Sequence, residues 1–175
     1  MTADEPLYRR DPEAWQKHLA EGNARQARKR VGADAILRDE QGRILLVDPD
    51  YKPDWDLPGG MIEANEPPID GLIRELKEEL NLEVTAGQLT LVCIDWVSPH
   101  GPWDDSLMLI FDAGQLTSGQ ISDLEPNHNE LARYALLTPD EARNRLRPYV
   151  WLRLQAALDA DESKTVAYLH DGHAV

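Results

Sequence analysis

Cysteine is almost missing from this chain, with one residue, Cys93, in 175. A lone thiol excludes an intramolecular disulfide framework. Its place in the apolar run Leu89 to Val97 points to a buried structural thiol rather than a nucleophile. Long apolar runs are missing too: none approaches the roughly 18 residues that a membrane-spanning helix needs. The opening stretch MTADEPLYRR lacks the apolar core of a signal peptide, so no membrane partner is expected and the cytoplasm is the expected location. Positive charge is scarce, at 18 Lys and Arg against 32 Asp and Glu, a net charge of −14. That balance argues against a general nucleic-acid binder, which needs Lys and Arg surfaces to neutralise phosphate. It leaves room for a phosphorylated small molecule, because metal cations can sit between carboxylates and phosphates. Internal repeats, low-complexity segments and linkers are absent as well.

What is present describes a globular domain. Hydrophobic residues make up 42% and charged residues 29%, and the length suffices for a substantial core. The charge is uneven. Residues 1–30 carry seven Lys or Arg against five Asp or Glu, so nearly all the acidity belongs to residues 31–175.

The most informative stretch is Trp55 to Val84, WDLPGGMIEANEPPIDGLIRELKEELNLEV. Ile69, Leu72, Ile73, Leu76 and Leu80 recur at helical steps and form one apolar stripe. Glu75, Glu78 and Glu79 stand at i, i+3 and i+4, so their carboxylates cluster beside that stripe. Each like-charged pair costs about 0.2–0.5 kcal/mol, and the macrodipole at a helix C-terminus favours cations. A divalent cation would compensate both; Lys77 and solvent are the bland alternative. Ahead of the helix, Leu57-Pro58-Gly59-Gly60 reads as a tight turn open to close backbone approach.

From Gly60 to Leu82 the chain resembles the signature of the Nudix hydrolase superfamily. The specified positions are filled by Gly60, Glu66, Arg74, Glu75, Leu76, Glu78, Glu79 and Leu82, and Asn81 stands where the family has its second Gly. Asn also tolerates the left-handed conformation at a helix end, so the departure is physically mild. The resemblance implies an α/β/α sandwich around a mixed, largely antiparallel sheet. It also implies cleavage of a diphosphate linkage, in a nucleoside diphosphate linked to another moiety, with Mg²⁺ or Mn²⁺. Carried over residue by residue, Glu75, Glu78, Glu79 and the Gly60 carbonyl are expected metal ligands. Glu75 is also expected to orient or deprotonate water, Arg74 to position a Glu, and Glu66 to be structural. A non-catalytic nucleotide-sensing module and a diphosphate isomerase are the alternatives; the first should lose carboxylates, and the second needs a catalytic Cys motif absent around Cys93.

Outside that signature, Asp11-Pro12 starts a helix that runs through Trp15 and Leu19 toward Arg30. Residues 1–30 form an expected N-terminal helical extension, a possible dimerisation arm, and 31–175 the expected catalytic domain. The extension's basic run from Arg25 to Arg30 reads as a solvated helix end. Val31 to Leu37 and Ile44 to Val47 form a hairpin. Leu89 to Val97, Leu107 to Asp112, Glu130 to Leu137 and Thr165 to Leu169 read as further strands, with one short strand near Ile121. Thr138 and Glu141 form a capping box for a helix over Pro139 to Arg145, and another helix runs from Tyr149 to Leu158. Glu130, with Glu125 behind it, is a candidate extra base or ligand, against a plain surface role. His128 reads as a solvated loop residue. Trp96 and Trp103 are candidates to stack a base or sugar, against core packing or loop anchoring. Asp34, interrupting an apolar strand, contacts substrate or pairs with a Lys or Arg.

Overall fold

The computed structural model describes residues 5–175. Residues 1–4, part of the opening stretch and of the expected extension, fall outside it. Among the described residues eight strands form one sheet. They are β1 (Arg30–Arg38), β2 (Ile44–Pro49), β3 (Gly59–Met61), β4 (Thr90–Val97), β5 (Ser106–Gln115), β6 (Leu131–Leu137), β7 (Ala167–His170) and β8 (His173–Ala174). The order is β6-β2-β1-β5-β4-β7-β8, with β3 paired to β1. β1–β5 and β4–β7 are parallel and the other pairs antiparallel. The helices are α1 (Leu7–Arg10), α2 (Pro12–Arg25), α3 (Pro68–Leu80), α4 (Ser118–Ser122), α5 (Pro139–Arg145) and α6 (Pro148–Ser163).

The layering follows from period-two alternation in strands buried on both faces. Ala33, Ala35 and Leu37 of β1, with Leu45 and Val47 of β2, pack on one face against Leu72, Leu76 and Leu80 of α3. Ile36, Ile44 and Leu46 point the other way, against Val150, Leu154 and Ala157 of α6. Burying each leucine of the α3 stripe contributes about 1.5–3 kcal/mol. The α/β architecture with helices flanking a mixed, largely antiparallel sheet is as the sequence implied.

One irregularity positions everything functional. β1 and β2 pair at Arg38↔Ile44, beside their turn. Further along, Val47 instead exchanges hydrogen bonds of 3.0 Å with Asp56, and the Ala35 N–H donates to the Pro58 carbonyl at 2.8 Å. β3 then pairs with β1, Gly59 opposite Asp34 and Gly60 opposite Ala33. The segment Asp56 to Met61 is thus wedged between two strands. Gly59 makes the wedge possible: at φ +139°, a Cβ there would fall 2.2 Å from the Ala33 carbonyl oxygen.

Two expectations are corrected. The N-terminal helix α2 stops at Arg25 and does not run toward Arg30; Gln26 is already extended, and Arg30 pairs with Ser106 in the sheet. No residue of α2 is buried, so no packing extends it, whereas the ladder to β5 recruits Arg30. The segment near Ile121 is the short helix α4, not a strand. Thr117 and Gln120 form a capping box, and Ile121 and Leu124, three apart, both reach the α3-side core.

Asn81 closes α3 in the left-handed conformation, φ 56°. Its N–H donates to the Lys77 carbonyl at 3.0 Å, the single bond of an αL cap, and the next N–H, of Leu82, donates to the Leu76 carbonyl at 3.2 Å. Asn81→Gly is therefore expected to stay within about 1 kcal/mol of the wild type. Asn81→Val should lose about 1–2 kcal/mol, since a β-branched residue is strained there. Urea denaturation of both variants checks this; equal stability of the valine variant would contradict it.

Candidate active site

The wedge opens a cavity of about 580 Å³, reaching from Glu75 and Glu79 on α3 to Tyr149 and Arg153 on α6. On the α3 side, Glu79 is 7% exposed and its Oε2 accepts the Gly59 N–H at 2.9 Å. Burial pushes its carboxyl up to about 8, with Glu75, Asp34 and Glu130 adding like charge and the Gly59 N–H opposing. Glu75 is also pushed up, again chiefly by burial, with Arg74 opposing. Its carboxyl lies directly on the Gly60 backbone: a Cβ at Gly60 would come within 2.6 Å of Glu75 Cδ. A side chain at position 60 would displace the carboxylate.

Arg74 organises three carboxylates. Its Nε and Nη2 donate to Glu66 at 2.9 and 3.0 Å, and its Nη1 donates to Glu75 at 2.9 Å and Glu78 at 3.0 Å. Glu66 also accepts the Glu63 N–H, and with the Arg74 guanidinium beside it its carboxyl is pushed down to about 2. Of the expected ligand set, Gly60, Glu75 and Glu79 meet on the cavity wall, whereas Glu78 is exposed, turned to Arg74 and absent from that wall. Among the described residues no group of three His, Cys, Asp or Glu stands ready to hold a metal. The chemistry of the donors still fits a hard divalent cation: the buried Glu79 and half-buried Glu75 carboxylates share one wall beside a backbone held close by glycines.

On the α6 side, Asp34 is 5% exposed and lines the cavity. It forms no ion pair with Lys or Arg among the described residues. Burial, and then the like charge of Asp56, push it up to about 7, against Arg153, Lys52 and Arg147. Asp56 itself is neutralised by Lys52 at 2.7 Å and Arg147 at 3.2 Å. At the mouth, Trp103 is 54% exposed with the Arg30 guanidinium 4.6 Å over its ring. Lys29 pairs with Asp105 nearby. Of the basic run, Arg25 stands in the last turn of α2 as expected, whereas Arg30 reaches the site.

Trp96 does not line the cavity; its Nε1 donates to Asp105 at 2.8 Å and its ring meets His170 edge-on, anchoring the loop that carries Trp103. Glu130 lies exposed on the cavity wall. Glu125 is elsewhere, accepting the Asn81 side-chain amide at 3.3 Å, and His128 is off the wall. Cys93 is fully buried away from the cavity, and burial pushes its thiol up to about 12, as befits an inert structural residue.

Sequence reading missed Arg30, Lys52, Asp56, Arg147 and Arg153. A signal existed for the last. Arg153 stands alone in YVWLRLQAAL and Asp95 alone in LVCIDWV; opposite charges in two apolar segments suggest a buried pair, and Arg153 Nε does donate to Asp95 at 2.8 Å.

The NUDIX domain family matches residues 28–158. The chain belongs to the Nudix hydrolase family. A MutT-like protein of Streptomyces ambofaciens is 31% identical over 129 residues, 74% of this chain and 77% of that protein. The human m7GpppN-mRNA hydrolase NUDT17 is 31% identical over 117 residues, 61% of this chain but 35% of that protein. The crystal structure of the MutT NUDIX hydrolase from Burkholderia pseudomallei superposes with a TM-score of 0.62 at 22% identity, covering 74% of this chain and 98% of that one; at that identity the likeness is one of fold. No helix among the described residues of this Nudix protein is long and apolar enough to cross a membrane.

The pair of Arg74 on α3 and Glu66 just before it gives a pH signature. A carboxyl lowered from 4.5 to about 2 by folding contributes stability that is complete above pH 4.5 and lost as pH falls through about 2. Glu66→Gln should therefore unfold at lower urea than wild type at neutral pH, with the gap closing between pH 4.5 and 2. A gap independent of pH would show that Arg74 does not hold Glu66 in this way.

Proposed function

We propose that this Nudix protein is a divalent-metal-dependent pyrophosphohydrolase. Its substrate would carry a diphosphate linkage in a nucleoside diphosphate joined to another moiety, such as a nucleotide sugar, ADP-ribose or a nucleoside triphosphate. The observation that carries the reading is the pair of half-buried Glu75 and buried Glu79 on one cavity wall, without a full complement of positive charge and backed by the Gly59–Gly60 wedge. Glu75, Glu79 and the Gly60 carbonyl would hold Mg²⁺ or Mn²⁺. When bound, such a cation neutralises the phosphates and activates water and leaving group.

The protein's own contribution is placement. The Gly59 N–H fixes Glu79, and Arg74 fixes Glu75 from outside the cavity. Glu130, exposed just before β6, has no hydrogen-bond donor among the described residues and would take a proton from water. Trp103, under Arg30 at the mouth, offers a flat face for part of the substrate. The relatives' names diverge between a MutT-like protein and an mRNA-cap hydrolase, so they select no substrate for this chain.

Product release across nucleotide sugars, ADP-ribose, dinucleoside polyphosphates and nucleoside triphosphates tests the reading, with Mg²⁺, Mn²⁺ or chelator. Turnover that needs metal is expected for at least one class. Silence from folded protein would move the reading to a non-catalytic binding module. Glu79→Gln should lower metal-dependent kcat by about a hundredfold or more while leaving the urea midpoint near or above that of the wild type, since a buried carboxyl is replaced by an amide. Wild-type turnover in that variant would remove Glu79 from the metal site.

A further inference from the structure

Two buried, charged side chains face the cavity on its α6 side without bonding to each other. Asp34 points there because its neighbours Ala33 and Ala35 face α3 and strand residues alternate. It is 5% exposed and accepts no hydrogen bond from any described residue. Arg153 is 3% exposed and is held by one bond: its Nε donates to Asp95 Oδ2, whose other oxygen accepts the Gly172 N–H at 3.1 Å. Its two terminal nitrogens have no acceptor among the described residues. Asp34 and Arg153 feel each other's charge, yet form no ion pair. Both residues are largely buried, yet their carboxylate and guanidinium fork reach the cavity without a hydrogen-bond partner among the described residues, so they are open to whatever enters it.

The ligand edge that satisfies both is defined by their chemistry. Two carboxylate oxygens accept from two adjacent N–H donors, and two guanidinium nitrogens donate to two adjacent acceptors. We propose that Asp34 and Arg153 read a guanine, making this a guanine-nucleotide hydrolase. Guanine sets N1–H beside the N2 amino group, with O6 and N7 following on the same rim. Adenine and cytosine set one amino group beside an acceptor, and uracil offers one imino donor, so each leaves an Asp34 oxygen unpaired. The same cavity has apolar walls for a flat ring, including Leu57, Val97, Met108 and Val150. Vicinal hydroxyls of a sugar would also fill the carboxylate, but they give the Arg153 fork no paired acceptors and match those walls less well.

The proposal deepens the hydrolase reading and rests on it for turnover, though base recognition itself needs no metal. Calorimetric binding of guanosine, inosine, adenosine, cytidine and uridine to the full chain with chelator tests recognition alone. Inosine differs from guanosine only by the amino group assigned to Asp34. Guanosine should bind at least about tenfold more tightly than inosine and more tightly than the other three. In Asp34→Asn the ratio of guanosine to inosine affinity should fall toward one. If that variant does not fold, the wild-type ratio decides.

The same ranking should appear in kcat/KM for GTP, ITP, ATP, CTP and UTP with Mg²⁺. Guanosine preference without any turnover would support the base site and overturn the hydrolase reading. Metal-dependent turnover without guanine preference, or turnover confined to a nucleotide sugar whose base is not guanine, would overturn the base site and leave the hydrolase reading standing.

Discussion

The contact between Gly59 and the carbonyl of Ala33 is the constraint on which the site depends. Because position 59 has no side chain, Asp56 to Met61 can enter the sheet between β1 and β2, which otherwise would zip together from their turn. That entry does three things at once. It aims the Gly59 N–H at Glu79, lays the Gly60 backbone against the Glu75 carboxyl, and holds apart strands whose other residues pack on both faces. A Cβ at 59 would meet backbone, which cannot swing aside as a side chain can. The cavity is therefore a consequence of strand separation, not of a loop folded over a finished surface.

Charge is handled differently on the two sides of this opening. Around α3, Arg74 gathers Glu66, Glu75 and Glu78, so a signature with four acids, three of them on the helix, retains only two under-compensated carboxylates, Glu75 and Glu79, on the wall. Arg74 acts as a partial counter-ion: it binds Glu75 from the side and leaves Glu79 to the Gly59 N–H. Around α6, Lys52 and Arg147 neutralise Asp56, and Asp95 orients Arg153. Asp34 is left as the unpaired member of that group. Net acidity across the chain is thus compatible with an anionic substrate, because the acids on the wall are few and placed, and basic groups stand close behind them.

Local chemistry was the part legible in sequence. The α3 stripe, the Asn81 cap, the Thr138 capping box and the alternating strands all declare themselves within a few residues, since each depends on neighbours along the chain. The α4 helix was legible in principle, from Thr117, Gln120, Ile121 and Leu124, but a polar Gly- and Asp-rich context hides so short an element. Where α2 ends was not legible, because the competitor is a ladder to β5, more than seventy residues away in sequence. The same reason hides Arg30, Lys52, Asp56 and Arg147. Each becomes a site residue only once the wedge and α6 bring distant segments to one cavity. For Trp96 the sequence favoured packing or loop anchoring and for Trp103 it left the choice even; the structure has one anchoring and the other exposed at the mouth.

This difference in legibility reflects a physical division of labour. Residues that handle the diphosphate must be fixed relative to one another, and a single turn and helix can do so within a short stretch. Residues that distinguish one substrate from another need only line the far wall, so they can come from any element that reaches it. Asp34 and Arg153 come from a strand and a helix more than a hundred positions apart, and only Asp95, on a third element, gives the arginine its direction. Buried polar groups in folded proteins are ordinarily paired. A carboxylate and a fork of N–H donors that reach one cavity from largely buried residues, with no partner among the described residues, therefore mark where the fold leaves bonds to be made by whatever enters.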